Sequence, residues 1–208
     1  MSPTTRSALA ATTLAAPVIA QIAWPSPLDS AGGHVFFAAS QLIGWALLTS
    51  VVLAAPAVAC TASPRGRRVV LVGCVLQILF ATLYGATALD GEPLEASFVV
   101  FLLGFIALLV GGLLWASRLR RTTGGGLAAV GLLSVAALGI LAMLVGSDPF
   151  HDVFLVSSYA AWVVVGRGFD SLQNAVTSRD GRGTTSPLSR AEGGRTDSAS
   201  ERSAISGP

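Results

Sequence analysis

Four stretches of this chain, residues 35–60, 69–89, 97–117 and 125–146, each run for more than twenty residues without a charged side chain. A helix that crosses a bilayer needs about 20 mostly apolar residues, because the hydrocarbon core is roughly 30 Å thick and a helix rises ~1.5 Å per residue. Soluble helices of that length almost never lack charge. The overall balance agrees: 52% of the residues are hydrophobic, 12% are charged, and the mean hydropathy is +0.69, too apolar for an ordinary soluble domain.

Two further segments reach the required length less cleanly. Residues 150–166 are apolar apart from His151 and Asp152 at the start, which suit the interface. Residues 7–24 are Ala-rich and interrupted by Pro17. They read either as a retained helix ending at an interfacial Trp24 or as a signal peptide with small residues near Val18-Ile19-Ala20. The expected fold is therefore an all-α polytopic bundle of six transmembrane helices in three hairpins, or five helices if the first is cleaved. Residues 1–166 form the membrane bundle. From residue 167 onward the composition turns to Ser, Gly, Thr, Arg and Asp, as in a disordered cytoplasmic tail that cannot bury a core. Phe169, Leu172 and Val176 recur with helical spacing there, an amphipathic turn suited to the inner membrane surface or a frayed helix end.

The arginines orient the bundle. There are thirteen, with no lysine. Arg6 precedes the first span, Arg65, Arg67 and Arg68 separate the second from the third, Arg118, Arg120 and Arg121 separate the fourth from the fifth, and Arg167 onward follows the sixth. The alternate connections carry no arginine and hold Asp29, then Asp90, Glu92 and Glu95, then Asp148 and Asp152. Arginine is retained on the cytoplasmic side, which places both termini in the cytoplasm and the protein in the cell membrane. The formal net charge of +2 thus hides six acidic residues on one side and all thirteen arginines with five acidic residues on the other, and nothing in it argues for nucleic acid as a partner.

In lipid, helices associate through small residues that permit close approach and polar residues that hydrogen-bond across the contact. Gly73, Gln77, Ala81 and Gly85 form one such face, Ser40 with Gly44 beside Gln41, Trp45 and Thr49 another, and Ala107 with Gly111 and Ala142 with Gly146 add small pairs. Pro17 and Pro56 are expected to kink or end their helices. Gln41 and Gln77 should face the interior, since an amide in lipid leaves its groups unsatisfied. With Tyr84 and Ser158 they serve either as packing contacts or as the lining of a substrate path.

The chemistry-bearing residues are few. A P-loop needs a lysine that this chain lacks, and no nucleophile elbow, zinc helix or dinucleotide fingerprint occurs. No catalytic residues and no cofactor are expected. His34 and His151, the only histidines, sit at the arginine-poor ends of their spans. With Asp152 and the neighbouring Asp29 and Asp148 they would form a divalent-metal site if their helices met, or else serve as ordinary interfacial residues. Arg118, Arg120 and Arg121 lead into Thr122, Thr123 and three glycines, a composition suited to an anionic lipid phosphate or simply to a flexible turn. Cys60 and Cys74 read as small packing residues in a reducing compartment. The leading functional expectation is a non-enzymatic anchoring or interaction protein with a cytoplasmic protein partner at its tail; a small permease or channel and a metal-dependent membrane enzyme are the alternatives.

Overall fold

The computed structural model describes residues 1–23, 31–88, 95–146 and 149–183, and every regular element among them is α-helical. The helices are α1 (Pro3–Ala23), α2 (Ala31–Leu53), α3 (Ala57–Ala62), α4 (Pro64–Ala88), α5 (Glu95–Leu119), α6 (Gly126–Val145) and α7 (Pro149–Gly183). The chain divides into two units, Met1–Gln173, which holds the bundle, and Asn174–Pro208. In the second unit the last turns of α7 carry Ser178, whose hydroxyl donates to the Asn174 carbonyl at 2.6 Å. Asp29, Asp90, Glu92, Asp148 and residues 184–208 of the expected tail lie outside the described residues.

Five helices among the described residues are long and apolar enough to cross a membrane: α1, α2, α4, α5 and α6. The outward face of α5 shows why lipid is the solvent. Phe98, Leu102, Leu103, Ile106, Val110, Leu113 and Leu114 are all exposed along its length, a continuous apolar surface that a water-soluble monomer rarely presents.

Several expectations are corrected. The first helix begins at Pro3 rather than residue 7. Pro3 needs no backbone donor at a helix start, and the Ser2 hydroxyl accepts from the Thr5 amide at 3.2 Å. Pro17 lies inside α1 and is buried without ending it. The second span, expected over 35–60, ends at Leu53. Pro56 has no N–H to continue the ladder, so a turn intervenes and α3 starts afresh with the Cys60 amide on the Pro56 carbonyl at 3.0 Å. Ser63 then caps α4 by accepting from the Gly66 amide at 3.3 Å, with Pro64 as the first helical residue.

The end of the bundle differs most in extent. Residues 150–166 lie in α7, which is not among the five helices above, since Asp152, Arg167 and Asp170 interrupt its apolar run. Nor does order stop at residue 166: α7 continues to Gly183, so the first part of the expected tail is helical. This helix packs against four others, α1, α2, α5 and α6. Its Gly166 faces Pro3 and Ser7 of α1, Tyr159 meets Trp45 of α2 edge-to-face at 6.5 Å, Phe169 packs on Trp115 of α5 at 5.3 Å, and Gly168 abuts Ala128 of α6. Phe169 and Leu172 are fully buried in this core instead of lying on a membrane surface. Asp170 accepts from the Thr4 amide at 3.1 Å and from the Thr4 hydroxyl, placing a carboxylate on the unpaired amides that open α1.

The remaining contacts follow small residues. α1 packs on α2, α2 on α4, α4 on α5 and α5 on α6. Gly44 lies against Leu14, Gly85 against Ala38, Gly73 against Leu108 and Gly111 against the Val70 backbone. Gly146 does not act as a packing contact. It has open space around it and ends α6 with φ +69°, a conformation that favours glycine.

The arginines differ in role. Arg67 turns back to α2, donating from Nε to the Val52 carbonyl and from Nη2 to the Leu53 carbonyl, both at 3.2 Å, and so satisfies the last acceptors of that helix. Arg65 and Arg68 are exposed. Arg67→Met is expected to lower stability by about 1 kcal/mol, whereas Arg65→Gln and Arg68→Gln should stay within ~0.5 kcal/mol. Thermal melts of the detergent-solubilised variants check the contrast, and equal losses at all three positions would contradict it.

Candidate functional site

The helix directions bring the arginine-bearing ends together. Arg6 opens α1, Arg65 to Arg68 open α4, Arg118 closes α5, and Arg167 lies on α7 beside the start of α1. At this end the interior is close-packed. Trp115, Trp162, Leu119, Leu132, Phe169 and Leu172 are all among the most deeply buried side chains, and Trp115 Nε1 donates to the Ala59 carbonyl of α3 at 2.9 Å.

The opposite half is open. A cavity of about 220 Å³ lies among five helices. α1 contributes Val18 and Gln21, and α7 contributes His151, Asp152, Leu155 and Tyr159. The facing wall is aromatic, with Phe37 of α2, Phe80 of α4, and Phe98 and Phe101 of α5. Gln41 lies deeper, where its Oε1 accepts from Trp45 Nε1 at 3.0 Å. Past Phe101, Leu155 and Tyr159 is an annex of about 30 Å³ that Gln77 and Ser158 help to line. That volume holds a single water, roughly 30 Å³ in the liquid.

Of the four polar residues expected inside the bundle, the structure brings three to these spaces and buries them: Gln41, Gln77 and Ser158. Ser158 donates to the Val135 carbonyl at 3.2 Å and Gln77 Nε2 to the Phe101 carbonyl at 3.1 Å. Tyr84 stands elsewhere, behind the aromatic wall, in ring contact with Phe37, Phe80 and Phe98. The polar line from Gln41 to Gln77 and Ser158 runs into the tryptophan-rich plug and goes no further.

Gln77 Oε1 is buried and unpartnered among the described residues. Gln77→Leu removes one ordinary hydrogen bond, worth ~0.5–1.5 kcal/mol, together with an unsatisfied acceptor that costs ~1–3 kcal/mol. Its expected stability is therefore within about 1 kcal/mol of wild type or slightly above. A melt showing a loss beyond ~2 kcal/mol would mean that Oε1 has a partner.

The two histidines take separate partners. His34 Nδ1 hydrogen-bonds the Tyr84 hydroxyl at 2.7 Å, on α2 and α4. His151 Nδ1 donates to the Ala142 carbonyl at 2.7 Å, on α7 and α6. A carbonyl only accepts, so Nδ1 carries the proton and Nε2 is left for other partners. Among the described residues no three His, Cys, Asp or Glu side chains converge to hold a metal ion. Asp152 shares the cavity with His151 but not with His34.

Arg118, Arg120 and Arg121 are exposed around a tight turn between α5 and α6, closed by the Thr122 amide on the Leu119 carbonyl at 2.9 Å and by Gly124 at φ +85°. Cys60 and Cys74 are free thiols, Cys74 buried and Cys60 donating to the Ala55 carbonyl at 3.3 Å.

The aromatic wall and Tyr159 were not apparent from the sequence as site residues. They come from four segments, and the signal was weak: phenylalanines near the arginine-poor ends of successive spans. No protein family, characterised protein or solved structure matches this chain.

Proposed function

We propose that this chain is a six-span cell-membrane protein with both termini in the cytoplasm, acting without catalysis as an anchoring and interaction module. The observation that carries the proposal is the gathering of Arg6, Arg65 to Arg68, Arg118 and Arg167 at one end of the bundle, around a close-packed plug of Trp115, Trp162 and Phe169. That arrangement suits a rigid anchor with a sealed cytoplasmic face, and it follows the retention of arginine on that side. A retained first helix is supported by its packing, since Ala10 and Leu14 are wholly buried. The sixth crossing is supported by α7, whose length from Pro149 to Gly183 allows a span and whose Ser158 bonds the Val135 carbonyl of α6. The polar, arginine-rich segment from Thr177 to Pro208 is the contact for a cytoplasmic protein partner, and the exposed Arg118, Arg120 and Arg121 suit anionic lipid.

Topology is tested by single cysteines placed at Arg120 and Gly91 in a background lacking Cys60 and Cys74. A membrane-impermeant maleimide applied to intact cells should label the Gly91 position and spare Arg120. Labelling of Arg120 from outside would overturn the orientation. Deleting residues 177–208 should abolish copurification of a cytoplasmic partner and leave membrane insertion intact.

A small permease is the second reading, favoured by the cavity itself, because an alternating-access carrier holds its site open on one side and sealed on the other. A carrier requires the plug to part. Spin labels at Arg65 and Arg120, both exposed on the arginine side, should give two distance populations for a carrier and one for an anchor.

A further inference from the structure

We infer that the 220 Å³ cavity binds a small organic cation, an ammonium carrying an apolar or aromatic body, with its charge on Asp152 and its body against the phenylalanine wall. The inference goes beyond the anchoring role and holds whichever side of the membrane the cavity faces. Three observations converge on this chemistry.

Charge is the first. Among the described residues Asp152 is the one charged side chain lining the cavity, and no arginine lines it. A carboxylate facing aromatic walls is complemented by a cation bearing N–H donors. An anionic ligand would meet Asp152 with nothing opposite in sign.

The wall is the second. Phe80 contacts Phe101 at 5.1 Å and Phe98 at 6.2 Å between ring centroids, and Phe37 and Tyr159 complete an aromatic surround. Aromatic faces carry the negative side of a quadrupole and attract ammonium groups, an effect strengthened by desolvation. Edge-on, the same rings stack against an apolar or aromatic ligand body.

The third is the kind of polar capacity left over. His151 Nδ1 is committed as a donor to the Ala142 carbonyl, leaving Nε2 toward other partners. Gln41 Oε1 is taken by Trp45. Asp152 therefore offers its carboxylate as an acceptor in the cavity, and the complementary ligand is rich in donors. At ~30 Å³ per water the main cavity holds about seven waters, a space suited to an arylalkyl amine and too small for a drug-sized molecule. The ammonium has two possible sources, a free amine or the ethanolamine headgroup of a lipid.

Full-length protein in nanodiscs of phosphatidylglycerol is titrated calorimetrically with 2-phenylethylammonium chloride and, in parallel, with the neutral 2-phenylethanol. Saturable binding of the ammonium is expected, with the alcohol at least about tenfold weaker. Asp152→Asn should weaken the ammonium about tenfold or more, since a hydrogen bond to a charged group is lost. Gln21→Trp, which covers the mouth from an exposed position, should weaken it comparably and keeps the inference falsifiable if Asp152→Asn fails to fold. Equal affinity for amine and alcohol, or wild-type affinity in both folded variants, overturns it. Repeating the titration with phosphatidylethanolamine in the nanodisc assigns the source: competition supports the headgroup, and unchanged binding supports a free amine. No saturable binding in either lipid overturns the inference.

Discussion

Gly168→Leu is expected to separate α6 from α7 and to leave little folded protein. A Cβ on Gly168 would stand 2.5 Å from the Ala128 Cα, and that neighbour is backbone, so no side-chain rotation relieves the clash. Ordinary overpacking costs ~1–3 kcal/mol. Here two helices must move apart beside the buried Val165 and Phe169, so about 3 kcal/mol or more is expected, a fall in melting midpoint on the order of 10 °C for a domain of this size. Gly168→Ala should show most of the effect, because the clash begins at the first added carbon. Gly126→Ala is the control: nothing lies within 4 Å of the added carbon, and the change should be within ~0.5 kcal/mol. Thermal melts in mild detergent measure both, and a similar loss at Gly126 would point to glycine composition rather than this contact.

Trp115→Ala carries the second large expectation. The ring is wholly buried, lies 5.3 Å from Phe169, and ties α5 to α3 through its bond to Ala59 at 2.9 Å. Truncating a buried tryptophan costs ~3–5 kcal/mol in lost transfer energy and residual cavity. Trp115→Phe keeps most of the ring volume and loses the indole donor, for ~0.5–1.5 kcal/mol plus any penalty for the orphaned carbonyl. The order wild type, Phe, Ala in melting midpoint is the expected result. Equal losses in Phe and Ala would assign the stability to the hydrogen bond alone.

The sequence made the membrane legible because hydropathy and charge are properties of single residues that need no partner. Charge-free windows announced α2, α4, α5 and α6, and the glycine and glutamine spacing of α4 identified its buried face. Pro56 could be seen to disturb the second span, yet the new helix α3 depended on contacts that a linear pattern does not contain. Phe169 and Leu172 showed an apolar face without showing what covers it; the cover is Trp115, more than fifty residues earlier in the chain. Similarly, nothing near Asp170 announced that it would cap a helix beginning at Pro3.

The candidate site shows the same division at closer range. Gln41, His151 and Asp152 stood out because a polar group in an apolar run is conspicuous, and all three line the cavity. His34 looked like a twin of His151, each being followed closely by Val and Phe, but it faces Tyr84 instead. Which ring met which partner was a matter of helix rotation and neighbour order. What the sequence alone determined was the solvent of the fold, the helical class and the arginine asymmetry, since each rests on the transfer energy and charge of the residues themselves. Tertiary packing alone decided which neighbours α7 meets, because Gly166 and Gly168 let α1 and α6 approach its backbone, while Thr4 reaches Asp170 and the Val135 carbonyl takes Ser158.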